Sequence, residues 1–256
     1  MLRAERRLAG ALARLPLRGT VSGAPWYDEW VGHPDVTDPY WEPFRVTEAL
    51  RRTTVPTLLI GGWHDYFLNQ TLAQYAALRS RDVNVAMTIG PWTHLTVDNR
   101  VSLPEAVSWL DAHAAGRGSP DRKSPVRVYV SGAGQWQGHQ HWPPEGLRPR
   151  KLYLGTDLTS TTGATFRYDP ANPTPSVGGR VMALSGGAKD NRGLESRPDV
   201  LVFTTAPLTS AVEIHGAPMV ELYVASDNAD ADLFVRICDV APDGRSVNPV
   251  VGGRSV

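Results

Sequence analysis

A chain of 256 residues, 41% hydrophobic and 20% charged, with 24 glycines and 21 prolines, has room for two modest domains and the make-up of a globular protein rich in turns. Lysine plus arginine balances aspartate plus glutamate at 26 each, so no net field draws in nucleic acid or an anionic membrane, and a small neutral partner is expected. No stretch is long and apolar enough to suggest a bilayer-crossing helix.

The first eighteen residues, MLRAERRLAGALARLPLR, are rich in arginine, yet Leu8, Leu12 and Leu15 recur at helical spacing and no apolar leader core or cleavage site follows. A basic amphipathic helix is expected there rather than a targeting peptide. All eight tryptophans fall between Trp26 and Trp142, so the chain changes character near residue 125. Residues 24–52, with Trp26, Tyr27, Trp30, Tyr40, Trp41 and Phe44 set among prolines and aspartates, read as short helices and loops that cover something. The run VPTLLI (residues 55–60), ending at Gly61-Gly62, is expected to be a strand buried on both faces of a parallel sheet. From Asn69, taken as the N-cap, Leu72, Tyr75, Ala76 and Leu78 form the apolar stripe of a helix that ends by Asp82. VNVAMTI (residues 83–89) repeats the buried-strand pattern before Gly90-Pro91, and residues 104–115 read as a second helix that stops before Gly116. Strand, helix, strand, helix implies a parallel α/β layer.

Beyond this point no convincing helix remains. VRVYV (126–130), KLYLG (151–155), VLVFTT (200–205), MVELYVAS (219–226) and ADLFVRICDV (231–240) read as short strands separated by turn clusters such as Pro242-Asp243-Gly244, the pattern of a β-sandwich or jelly roll. The single cysteine, Cys238, excludes an internal disulfide framework and reads as a buried, inert thiol.

In a parallel α/β sheet, reactive groups collect beyond the carboxyl ends of the strands. Asp65 follows the first strand in GGWHD and His94 follows the second in GPWTH, so both side chains are expected on one edge of the sheet, the acid placed to orient the imidazole. That is the order of acid and base in a Ser-Asp-His triad. A neutral His94 would take the proton of an attacking hydroxyl while Asp65 fixes its tautomer.

The segments PTLLIGGWHD (56–65) and IGPWTH (89–94) resemble the acid and histidine segments of the cocaine esterase and X-prolyl dipeptidyl-peptidase family of serine hydrolases. Trp109-Leu110-Asp111, VRVYVSGAGQW (126–136), Tyr168-Asp169-Pro170, Pro173-Thr174-Pro175, Arg197-Pro198-Asp199-Val200-Leu201 and Pro242-Asp243-Gly244-Arg245 resemble later parts of it, so the likeness runs from about Trp26 onward. The resemblance implies an α/β plus all-β protein. Residues 1–52 would be a helical cap remnant, residues 53–122 the C-terminal part of an α/β-hydrolase domain, and residues 123–256 a jelly-roll domain truncated at its C-terminus. It implies cleavage of ester or amide bonds in a small-molecule acyl substrate without metal or organic cofactor, a cytoplasmic location, and no nucleic-acid or membrane partner; a homo-oligomer is compatible with it. The family's Gly-x-Ser-x-x-Gly nucleophile elbow is missing. Ser22, Ser131 and Ser185 lack its strand–elbow–helix context, and the last two lie beyond His94. The chain therefore reads as a fragment that is inactive alone, the alternatives being a jelly-roll binding module or a pseudoenzyme.

Relatives selective for α-amino esters carry acidic residues just after the triad acid, where this chain has Tyr66-Phe67-Leu68. Tyr66 and Phe67 are thus expected to line an apolar acyl pocket under the aromatic cap segment, or simply to pack beneath it. His139 and His141 share a strand face at zinc-ligand spacing without an evident third ligand and read as surface histidines. Asp227, Asp230 and Asp232 lack the glycine and terminal glutamate of an EF-hand and read as a hydrated turn. Asp111 and His113, two apart on a helix, point to different faces and carry no role.

Overall fold

The computed structural model describes residues 25–155, 163–228 and 231–255. The helix expected around Leu8, Leu12 and Leu15, together with Ser22 and Asp230, lies outside the described residues. The chain divides into two units after Arg52.

In the first unit, α1 (Pro25–Gly32), a 3-10 helix (Pro39–Phe44) and α2 (Thr47–Arg52) are short, and none is long enough to be stable on propensity alone. Aromatic rings packed on one another hold them together. Trp26 and Trp30 lie 4.8 Å apart, Trp30 reaches Trp41 at 5.9 Å, and the His33 imidazole stacks on Tyr40 at 4.1 Å. Asp38 caps the 3-10 helix by accepting from the Tyr40 N–H at 2.8 Å, and it also accepts from His33 Nδ1 at 2.8 Å. These bonds, the one from His33 foremost, hold the Asp38 carboxyl below its ordinary range.

The second unit opens with the α/β layer. Strand β1 (Thr57–His64), helix α3 (Leu68–Arg79), strand β2 (Val85–Thr93) and helix α4 (Asn99–His113) follow in the expected order, and β1 pairs with β2 in parallel. β2 is the buried centre: Met87 and Ile89 are fully enclosed, with Tyr75 and Leu78 of α3 and Trp109 of α4 in the same core. Enclosure on both faces is why this strand has no polar alternation to read.

Two helix starts differ from expectation. α3 begins at Leu68 with Phe67 at the cap position, so Asn69 is already inside the helix and does not cap it. α4 begins at Asn99, five residues ahead of Pro104, because the Asp98 carboxylate accepts from the Arg100 N–H at 2.9 Å and supplies the cap.

Strand β3 (Val126–Val130) extends the same sheet parallel to β2, and β4 (Gln135–His139) adds antiparallel to β3, giving the order β1-β2-β3-β4. The sheet therefore crosses the boundary expected between residues 122 and 123. In the β region that follows, β5 (Asp232–Val240) and β6 (Ser246–Ser255) form an antiparallel ribbon around the expected Pro242-Asp243-Gly244 turn, where Gly244 takes φ 80°. A one-turn helix, α5 (Arg192–Glu195), joins the ribbon when Asn191 donates its backbone N–H to Ser246 O at 2.8 Å.

The strands expected at 151–155, 200–205 and 219–226 do not form: these stretches have no strand partner among the described residues, and Met219 and Tyr223 stand 94% and 95% exposed. Strand propensity measures how well a residue fits a pleated neighbour, and it cannot supply that neighbour. Cys238 is half-buried on β5 rather than enclosed, and burial raises its thiol pKa, which disfavours the reactive thiolate.

Candidate active site

The pairing of β1 with β2 slips by one residue at the strand ends: Gly62 faces Gly90, whereas His64 faces Thr93. The extra residue on β2 makes a bulge, a feature that re-aims side chains next to active sites. It needs glycine on the facing strand, since a Cβ at Gly62 would lie 2.2 Å from the Trp92 carbonyl oxygen. Gly62→Ala should therefore cost about 2–3 kcal/mol by overpacking, measured as a lowered urea midpoint, and displace the His94 turn. The Trp63 indole braces the same end by donating to Tyr129 O on β3 at 2.6 Å.

Past the bulge, Asp65 and His94 come together. His94 Nδ1 lies 3.3 Å from Asp65 Oδ1 and 3.4 Å from Oδ2, long for a charge-assisted bond at about 2.7–2.9 Å but within reach of one. The Asp65 side chain is 10% exposed and that of His94 40%. The carboxylate is fixed from the other side by the Phe67 N–H, which donates to Oδ1 at 2.8 Å. Asp65 is thus buried and twice engaged, while the imidazole keeps Nε2 on the ring edge away from the acid. This is the arrangement a general base requires.

Thr93 and Thr96 hold the turn that carries His94. Thr96 Oγ1 accepts from the Thr93 N–H at 3.0 Å and meets Thr93 Oγ1 at 2.9 Å, and the Thr96 N–H returns to Thr93 O at 3.3 Å. Thr-x-x-Thr is a recognisable side-chain turn, so this pair was within reach of sequence reasoning that looked only at the acid and the base.

Of the two expected pocket residues, Phe67 lies against the base, its ring 5.2 Å from the His94 ring at 71°. Tyr66 packs edge-on against Phe67 at 5.4 Å, one ring further out. Both are exposed at their outer faces, 41% for Phe67 and 56% for Tyr66, so neither is simple core filling. His64, one residue before the acid, is 4% exposed, and burial first and the Arg180 charge second pull its imidazole pKa below the ordinary value.

The weaker candidates stay apart from this edge. His139 packs against His215 at 5.5 Å and Trp142 at 6.3 Å, and no group of three His, Cys, Asp or Glu among the described residues is placed to hold a metal ion. None of the described helices is long and apolar enough to cross a membrane.

Comparison with known proteins bears on the whole chain. Residues 118–254 match the X-Pro dipeptidyl-peptidase C-terminal non-catalytic domain, and residues 2–96 match the X-Pro dipeptidyl-peptidase family. Cocaine esterase of Rhodococcus sp. (strain MB1 Bresler) is 31% identical over 271 aligned residues, covering 92% of this chain and 46% of that protein. Among solved structures, a selenomethionine-labelled α-amino acid ester hydrolase superposes with TM-score 0.76 at 25% identity, over 91% of this chain and 46% of its own. An aminopeptidase from a marine sediment Thaumarchaeota archaeon, at 24% identity and TM-score 0.67 over 98% of this chain and 49% of its own, shares the fold. The chain thus spans less than half the length of these relatives.

Proposed function

Since this chain belongs to the X-Pro dipeptidyl-peptidase family, with cocaine esterase among its relatives, we propose that it supplies the acid and base of a serine hydrolase that cleaves ester or amide bonds. The observation that carries this reading is the contact of 3.3 Å between His94 Nδ1 and the buried Asp65 carboxylate at the carboxyl ends of two parallel strands. With Asp65 holding Nδ1–H, His94 Nε2 accepts the proton of a serine hydroxyl as that oxygen attacks the acyl carbon. The same nitrogen then returns the proton to the departing alkoxide or amine, and a water molecule repeats the sequence on the acyl-enzyme. Phe67, edge-on to the imidazole, forms an apolar wall for the acyl group, with Tyr66 behind it.

The nucleophile belongs in a Gly-x-Ser-x-x-Gly elbow preceding the acid in chain order, and no such segment occurs in these 256 residues. Two measurements test the reading. The purified chain should take no label from a fluorophosphonate probe, and the DNA upstream of the Met1 codon should encode an in-frame Gly-x-Ser-x-x-Gly. Stoichiometric labelling of any serine in this chain would refute the assignment of Asp65 and His94 to a nucleophile outside it.

A further inference from the structure

We propose that His139 and His215 form an acid-sensitive latch: their contact fastens the segment around His215 to β4, and a proton on His139 releases it. The latch is independent of the hydrolase reading and stands on a cluster of side chains beside the end of β1.

The segment has little else to hold it. Residues 211–218 make no backbone hydrogen bond among the described residues, and Val212 and Ile214 turn outward at 47% and 73% exposure. His215 is the exception, with its side chain only 10% exposed. Its ring meets the His139 ring edge-on at 5.5 Å and the Trp142 ring at 5.7 Å. Trp142 in turn packs on Trp63 at 5.6 Å, and the Trp63 indole braces the end of β1 through Tyr129 O. The latch thus abuts the strand that leads to Asp65.

One carboxylate serves this pair of rings, and it is already engaged. Glu213 accepts from His215 Nε2, and that bond, with a weaker pull from the Gln137 side chain of β4, holds its carboxyl below the ordinary range. His139 has no such partner: its Nε2 is buried and meets no hydrogen-bonding group among the described residues. His141 and Glu145, in the turn after β4, face each other at 3.6 Å across the hollow they share with His139. On β3 the residue opposite His139 is the uncharged Val126, while Arg127 turns to the other face and stacks on Trp136.

A proton on His139 would therefore charge a ring whose buried nitrogen has no acceptor, edge-on to a second imidazole. Burial first and His215 second pull the His139 pKa below its ordinary value of 6.5, and Glu213 pulls it up by less. Well above 6.5 the ring is neutral whether the segment is docked or free, and docking carries no penalty. As the pH falls through 6.5 the free form binds a proton that the docked form resists, so docking weakens by at most about tenfold per pH unit.

The test is an NMR titration of the chain from about pH 7.5 to about pH 5. It follows the His139 imidazole, the backbone amides of Ile214, His215 and Gly216, and the amides of Met87 and Ile89 in the core. The three segment amides should move to free-chain positions with a midpoint below 6.5 that coincides with the titration of His139, while Met87 and Ile89 stay in place. His139→Phe keeps a ring against His215 and Trp142 but takes no proton, so its segment should stay docked over the whole range. His139→Gln, also uncharged, replaces it if the larger ring disturbs β4. His141→Gln should leave the transition where it is. Release of the segment at the wild-type midpoint in an uncharged His139 variant would overturn the latch. So would a wild-type segment whose midpoint differs from that of His139, or a release that takes the β2 core with it.

Discussion

Asp65→Asn is expected to lower kcat about 10⁴-fold with little change in KM, in the protein carrying both this chain and its nucleophile, assayed with a 4-nitrophenyl ester. The geometry gives the reason. Phe67 donates its N–H to Oδ1 at 2.8 Å, so in the asparagine variant the amide oxygen settles there and the NH2 takes the place of Oδ2, 3.4 Å from His94 Nδ1. An N–H then meets the ring nitrogen on the Oδ2 side while the retained oxygen stays 3.3 Å away, which weakens the hold on the tautomer with its proton on Nδ1 and favours the one protonated on Nε2. An imidazole carrying its proton on Nε2 cannot take another from a serine hydroxyl. The fold should be untouched, because asparagine matches aspartate in volume and keeps the Phe67 hydrogen bond. His94→Ala removes the base itself and should cost more, on the order of 10⁶-fold. Identical esterase rates in wild type and Asp65→Asn would remove Asp65 from the mechanism and with it the triad.

What sequence could reach follows from the range of the interactions involved. β1, α3 and β2 were legible because burial on a sheet or along a helix stripe imposes a pattern within ten residues, as in TLLI before Gly61-Gly62 or Leu72, Tyr75 and Leu78. Asp65 and His94 were legible for the same reason, each placed by the end of its own strand. The failures are non-local. KLYLG and MVELYVAS have strand composition but meet no partner strand among the described residues, and VRVYV pairs with β2 although its pattern alone suited the later β region. Arg180 bonds to a side chain 111 positions away, and no spacing rule links the two. Helix ends failed on a finer scale: Asn69 has the right chemistry for a cap, but the hydrogen bond from the Phe67 N–H to Asp65 starts the helix two residues earlier.

Glu105→Gln should be the most damaging near-isosteric change in the second unit, costing about 3–5 kcal/mol in urea unfolding. Glu105 is 8% exposed on α4 and gathers three donors: Thr88 Oγ1 at 2.5 Å from β2, Arg122 Nη1 at 2.9 Å from the connection to β3, and Arg127 from β3 itself. Thr88 is fully buried and the Arg122 side chain 8% exposed, so the cation has little water to fall back on. Burial pulls the Arg122 pKa down, with Glu105 the chief force opposing it, and Arg122 also spends Nη2 on Met87 O at 3.1 Å and Pro125 O at 3.2 Å. Glutamine removes the charge and turns an NH2 toward guanidinium donors, leaving a buried cation uncompensated. The double variant Glu105→Leu with Arg122→Met distinguishes a net stabilising pair from a mutually dependent one. It should recover only part of the loss, because the apolar pair needs no partner but the fully buried Thr88 hydroxyl and Arg127 lose theirs. The loss should also reach the site. Glu105 ties α4 to β2, the strand that ends at His94, so Glu105→Gln should broaden the His94 imidazole resonance. A single variant as stable as wild type would mean that Arg122 is held by its carbonyl contacts alone.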